Sequence, residues 1–210
     1  TQVKTTGVGA GKNVIINGAM TVAQRGTSKT GIGASSGYFT TDRWKIDQNN
    51  SGGRFTMTQD TSDTPDTAGF ATCTKLACTT ADTSIAADEL FIFQHRIEGL
   101  NLQHFAKGTS SAKAFALSFY VKGNAAASYT FAAQYQPAGG TARWFTKEIP
   151  VTTSWVRQEI QIVGDTQTGG SYGMNDDNNG RWAFHVWLHG GTNYSSGTFA
   201  DGAWADRDYT

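Results

Sequence analysis

The sequence predicts an all-β fold, an antiparallel jelly-roll β-sandwich with at most one short helix, on three observations. Residues 115–121 alternate: Phe115, Leu117, Phe119 and Val121 share one face and Ala116, Ser118 and Tyr120 the other, which is the two-residue period of a half-buried strand. Stretches of this kind recur along the chain, separated by turn chemistry such as Gly123-Asn124, Pro137-Ala138-Gly139-Gly140, Pro150, Gly169-Gly170 and Gly190-Gly191. No helices alternate with them, and no fixed-period repeat points to a β-helix or propeller. At 210 residues the chain suits one sandwich domain with a real core.

Residues 1–12, rich in Gly and Thr without periodicity, predict a linker or N-terminal arm, followed by a single domain over 13–210. Residues 13–18 and 20–26 read as short strands around the Asn17-Gly18 turn, and 27–37 as a polar loop. Asp42 and Arg43 precede an aromatic strand at Trp44, where an Asp-Arg pair forms a charge-assisted lock at the core edge. Strands follow at 54–59 and 70–78, joined by a loop carrying Asp60, Asp63 and Asp66. Residues 90–97 begin with apolar side chains on both faces and predict a central strand. Residues 101–107 can form one helical turn in the connector between that strand and 115–121. Further strands are expected at 129–135, 143–149, 155–163 and 181–189. The tail from Asn193 holds Phe199, Trp204 and Tyr209 in a polar background with no convincing final strand, which predicts an open sheet edge.

Charged residues are only 16% of the chain, and 17 basic residues balance 17 acidic ones. That balance supplies no basic patch to release counterions, so nucleic acid is not an expected partner, nor is an anionic membrane surface. The longest apolar runs fall far short of a bilayer span, so membrane insertion is not expected. The first residues lack the apolar region of a secretory signal, so export would need another route. Cys73 and Cys78 lie an odd number of residues apart on one predicted strand and face opposite sides. They read as two packed free thiols, at home in a reducing cytoplasm during folding.

Catalytic motifs are missing from the sequence. Glycan hydrolysis needs two carboxylates at a set separation, and Glu89, Glu98, Glu148 and Glu159 are scattered with no logic that pairs them. Gly-x-Ser-x-Gly does not occur, and Gly9-x-Gly11-Lys12 lacks the spacing of a phosphate loop. The expectation is a protein that is not an enzyme and needs no cofactor. Asn175-Asp176-Asp177-Asn178-Asn179-Gly180 has the oxygen donors and glycine of a calcium loop, but Val186 stands where the bidentate Glu belongs, leaving a polar hairpin as the default reading. A looser calcium cage from Asp165, Asp176 and Asp177 is the one metal site the residues offer.

In 181–189, Trp182, Phe184, Val186 and Leu188 form an apolar face, and Arg181, Ala183, His185, Trp187 and His189 the opposite one. His185 and His189 would sit about 13 Å apart along a strand, too far to share a metal ion. A sugar platform is the functional reading: Trp187 stacks on a pyranose while His185, His189, Arg181 and Tyr120 reach its hydroxyls. The structural alternative is that another sheet, loop or subunit covers the row.

Five short motifs occur in a fixed order: Asn17-Gly18, Gln24-Arg25-Gly26, Thr41-Asp42-Arg43-Trp44, Arg96-Ile97-Glu98-Gly99 and Leu117-Ser118-Phe119-Tyr120-Val121-Lys122. In that order they resemble, over about residues 13–190, a domain of tailed-phage virion proteins, usually tail-fibre or other structural components. The resemblance implies a jelly roll similar to carbohydrate-binding modules and a place in the virion. It also implies a homo-oligomer, a trimer by analogy with fibres, with other virion proteins and host surface polysaccharide as partners. Alternatives are a capsid decoration or connector scaffold without a ligand, and a glycan depolymerase. The chain departs from the family after the 182–188 strand, where a further strand with a Val-Gln-Leu-Glu-like core is usual. Either the chain is cut short or the last strand is replaced or supplied by a neighbour.

Overall fold

The computed structural model describes residues 13–169, 172–173, 175–195 and 198–206; the arm expected over 1–12, Gly170 of the predicted turn and Tyr209 lie outside them. The fold is all-β. The described strands are β1 (Ser28–Ile32), β2 (Trp44–Asn49), β3 (Arg54–Asp60), β4 (Cys73–Thr80), β5 (Leu90–Glu98), β6 (Phe115–Val121), β7 (Ala127–Tyr135), β8 (Arg143–Val151), β9 (Val156–Ile162), β10 (Gly180–Gly190) and β11 (Trp204–Asp206). Among the described residues, helical structure is limited to single 3-10 turns at Asp66–Ala68, Gly99–Asn101 and Gln103–Phe105; the last two occupy the connector for which the sequence predicts one turn.

One layer is a six-stranded sheet in the order β11-β8-β7-β10-β5-β2, antiparallel throughout. The opposing layer is split into a three-stranded sheet, β1-β3-β4, and a two-stranded one, β6-β9. The chain crosses repeatedly between the layers, which is the winding of a jelly roll. Each half of the split layer covers its own core. Ile160 and Ile162 of β9, with Phe115, Leu117 and Phe119 of β6, pack onto Phe131, Tyr135, Phe145, Ile149, Trp182 and Phe184. Ile32 and Met57, with Phe55 and Leu76, pack onto Ile46 and Phe91. β10 is central because it is apolar on both faces: Trp182 and Phe184 enter the main core, and Trp187 enters a second cluster behind the sheet.

Several elements differ from expectation for local reasons. Residues 13–26 form no strand, because the Asn17 side chain answers the backbone groups a strand would pair. Asn17 Oδ1 accepts from Val22 N (3.0 Å), while Nδ2 donates to Val22 O and Asp42 O (2.9 Å each). Asn17 and Met20 both sit at φ 56°, in the left-handed region. β1 was read as loop because its residues are exposed except Ile32, which leaves no apolar alternation to detect. The strand at 115–121 pairs with β9 in the layer opposite β5, the strand before it in sequence. β11 closes the tail as a short edge strand on β8, with the Trp204 ring against Phe145 and Trp182. Cys73 and Cys78 are free, as expected.

A buried ion cluster joins the two layers. The carboxylate of Asp165, after β9, accepts from Lys107 Nζ (3.0 Å) and from Arg143 Nε and Nη2 (3.0 and 3.1 Å). Lys107 also donates to Tyr172 O (3.1 Å) and lies over the Tyr135 ring. Burial alone would raise the Asp165 carboxyl, but its Arg143 and Lys107 donors outweigh burial and hold it below the usual carboxylate range.

Removing one partner of a buried pair strands the other charge, so Asp165→Asn should cost about 3–5 kcal/mol in urea unfolding at pH 7. The folded pKa is depressed, so the Asp165 contribution is present above the unfolded carboxylate value, near pH 4, and is lost as pH falls through the folded one. The loss of stability on acidification below about pH 4 should therefore be shallower in the variant.

Candidate functional site

The structure does not assemble the expected His-Trp-His platform. His185 is 3% exposed and Trp187 9%, so the row that was to stay wet is mostly buried. Trp144 of β8 leans over the small Ala132 and meets His185 edge-on at 5.4 Å between centroids and Trp187 at 6.4 Å. Ile92, Ala132, Trp144 and Trp187 form a cluster with Leu90, Ala142 and Tyr194 packed against it. Covering within the chain, by Trp144 from β8, two strands away in the sheet, and by the segment after β10, is thus what hides this face.

His189 leaves the row for a different reason. The register between β10 and β5 shifts between Trp187 and His189, so His189 pairs with Phe91 and its ring lies 6.0 Å from that phenyl. Such an extra residue re-aims the side chains that follow it. Arg181 sits at the other end of β10, six residues from Trp187 and so roughly 20 Å away, and is paired with Asp177. Tyr120 belongs to the opposite layer, against Phe70 at 5.8 Å. Of the five residues expected to bind sugar, Trp187 and His189 alone share a site.

That site is a groove of about 370 Å³ at the end of β10, lined among others by Tyr129, Thr130, Trp187, His189, Tyr194 and Phe199. Tyr194 follows the β10 strand and lies 5.8 Å from Trp187, its backbone N–H donating to Gly191 O (2.9 Å). Gly191 is required here, since a Cβ would overlap the Ala86 carbonyl. Ser128, Thr130 and Ser195 supply hydroxyls, and among the described residues no carboxylate lines the groove. The sequence places Tyr129 at the start of the 129–135 strand and gives no signal for Tyr194; the signal for Phe199 is its place as an aromatic in a polar tail.

The proposed calcium cage is not formed. Asp165 is engaged by Lys107 and Arg143, Asp177 by Arg181 and Asn179, and Asp176 is exposed. Among the described residues, no group of three or more His, Cys, Asp or Glu side chains is placed to hold a metal ion. Nor, among them, is any helix long and apolar enough to cross a membrane.

Asp42 and Arg43 do not lock to each other. Arg25 Nη1 donates to Asp42 Oδ1 (2.9 Å), Arg43 Nη2 to Glu98 Oε1 (2.7 Å), and the Trp44 indole to Asn17 O (3.0 Å). Four of the five sequence motifs therefore meet at one corner of the molecule. Burial would raise the Glu98 carboxyl, but the Arg43 donor holds it below its ordinary range. Next to Glu98, glycine is required at position 99, since a Cβ there would overlap the Asn175 carbonyl.

Comparison with protein-family models, curated proteins and solved structures finds no match to this chain.

His185 carries a testable consequence. Neither ring nitrogen has a hydrogen-bond partner among the described residues, and burial pushes the imidazole down to about 3. An unpaired buried polar group costs about 1–3 kcal/mol, so His185→Leu should hold or raise stability, by up to about 1 kcal/mol after its lost packing. The folded pKa lies below the unfolded value of about 6.5, so the neutral His185 favours folding above that pH, and this advantage is lost as pH falls toward 3. Urea unfolding between pH 7 and 4 should show a weaker acid dependence in His185→Leu than in the wild type.

Proposed function

We infer that this chain is a non-enzymatic structural domain of a phage virion, a tail fibre or surface appendage, and that the groove at the end of β10 contacts host surface glycan. The observation that carries the binding reading is the groove: a concave surface of about 370 Å³ in which the rings of Trp187, Tyr194 and His189 lie beside serine and threonine hydroxyls. Aromatic faces stack on sugar C–H groups, and short hydroxyls bond their hydroxyls with little loss of side-chain freedom. The virion assignment rests on the order of the five motifs, four of which share one structural corner. An oligomer, trimeric as in fibres, with other virion proteins alongside, belongs to the same reading.

Binding fits the groove better than hydrolysis does. Among the described residues its lining has no acid, whereas glycoside hydrolysis needs two carboxyl groups set across the scissile bond. A connector role draws on a separate feature, the apolar side chains of Ile16 and Val22, which stand exposed on the 13–26 segment.

A glycan array probed with the full chain should show binding to a defined set of surface oligosaccharides with no release of reducing ends. Tyr194→Ala and His189→Ala, both at partly exposed positions, should lower affinity for the best of these about tenfold, or about 1.4 kcal/mol, at unchanged circular dichroism. Full binding in both folded variants would remove the groove as the site, and absence of binding to any glycan would favour the connector role.

A further inference from the structure

The corner where the 13–26 segment meets β2 opens into a second cavity of about 350 Å³, lined by Gln24, Arg25, Tyr38, Asp42 and Arg43. It shares no lining residue with the aromatic groove. We propose that this pocket is a separate binding site and that its ligand is an acidic saccharide, a pyranose bearing a carboxylate.

The donor inventory points to an anion. Arg25 uses Nη1 on Asp42, and Arg43 uses Nη2 on Glu98 and on Arg96 O, which leaves Nε and Nη2 of Arg25 and Nε and Nη1 of Arg43 without a partner among the described residues. Two guanidinium groups thus line the cavity against the single carboxylate of Asp42, one of whose oxygens is already engaged. Glu98 neutralises Arg43 by way of Nη2, which leaves the Nε and Nη1 donors uncommitted. The Nε–Nη2 edge of Arg25 is a planar fork that matches both oxygens of a carboxylate.

The remaining lining points to a sugar and not a bare ion. Tyr38 is 40% exposed beneath the Arg25 guanidinium, which stands 5.7 Å from its ring centroid. It offers a pyranose an aromatic surface, and the Gln24 amide offers hydroxyls both a donor and an acceptor. The pocket is also set in advance. Arg43 is held in the left-handed region, φ 72°, by its bonds to Glu98 and Arg96 O, while Asp42 N donates to Val22 O (2.9 Å) and Asn17 Nδ2 to Asp42 O (2.9 Å). A donor array fixed before binding loses little freedom on meeting its ligand.

Isothermal titration with trigalacturonate, its methyl ester and sodium sulfate tests this on the full chain. Trigalacturonate should bind, more weakly as salt rises, and the methyl ester should bind at least tenfold more weakly. Arg25→Ala and Arg25→Lys should each lose about ten- to a hundredfold, the lysine because it keeps the charge without the fork. Tyr38→Ala should lose about fivefold. The Arg25 side chain is 52% exposed, so its variants should keep the wild-type circular dichroism, and Tyr194→Ala in the other groove should bind trigalacturonate normally. Equal binding of acid and ester, displacement by equimolar sulfate, no binding by folded wild type, or full binding by Arg25→Lys would each overturn the proposal.

Discussion

The contact between Arg43 and Glu98 fixes the corner on which the rest of the molecule is aligned. Arg43 precedes β2 and Glu98 ends β5, and these two strands pair antiparallel with Trp44 opposite His95. Around that pair, Asp42 receives Arg25, the Trp44 indole reaches Asn17 O, and Ile16 O lies 3.0 Å from His95 Nε2. A segment with no secondary structure of its own is thereby fastened at the start of β2, while the backbone edge of that strand is met by Gly37, paired with Ile46, and by Ser36, bonded to Gln48, and is not left open to other chains. Magnitude separates this role from one of bulk stability. Both partners are partly exposed, and such pairs contribute about 0–1 kcal/mol. Their work is positional, whereas the buried Asp165 cluster is the electrostatic feature on which stability leans.

The six-stranded sheet is buried on both sides, and both surfaces suited to binding follow from how each side is closed. On one side the split layer supplies the main cores. On the other, Trp144 and Trp187 fill the space above Ala132, and closure stops at the end of β10 where the strand changes register. The groove lies at that boundary, where the exposed margin of the aromatic cluster forms its wall. The guanidinium pocket lies at the other boundary, where the β2 edge is covered by irregular chain. In the reading proposed above, the aromatic groove takes neutral sugar faces and the guanidinium pocket an acid.

How much of this was legible depended on whether the determinant was local. Phe115 to Val121 announces itself by alternation, 129–135 and 143–149 stand out between turn residues, and the structure places strands in all three. β1 was invisible because Ser28 to Gly31 bury nothing. Residues 13–26 misled because Val14, Ile15 and Ile16 suggest a strand, while the deciding fact is a side-chain amide bonded to Val22 and, across 25 residues, to Asp42. The site was half legible. Period two placed His185 and Trp187 on one face correctly, but nothing local says that a tryptophan two strands away will lie over them. Leu90 and Ile92, apolar on the face supposed to be wet, were the available hint, since they join that same cluster. The bulge that turns His189 aside leaves no mark in the sequence at all.

Sugar recognition at the boundary of the covered face, without chemistry, is the central claim. Its most direct test is to titrate the strongest neutral array glycan into ¹⁵N-labelled protein and follow the tryptophan indole and backbone amide resonances. The account predicts that Trp187 and residues 189–195 shift with saturation, while the Trp44 indole, bonded to Asn17 at the distant corner, stays in place. Shifts confined to the Trp44 corner or to the β6-β9 sheet, with Trp187 and Tyr194 unmoved, would contradict it.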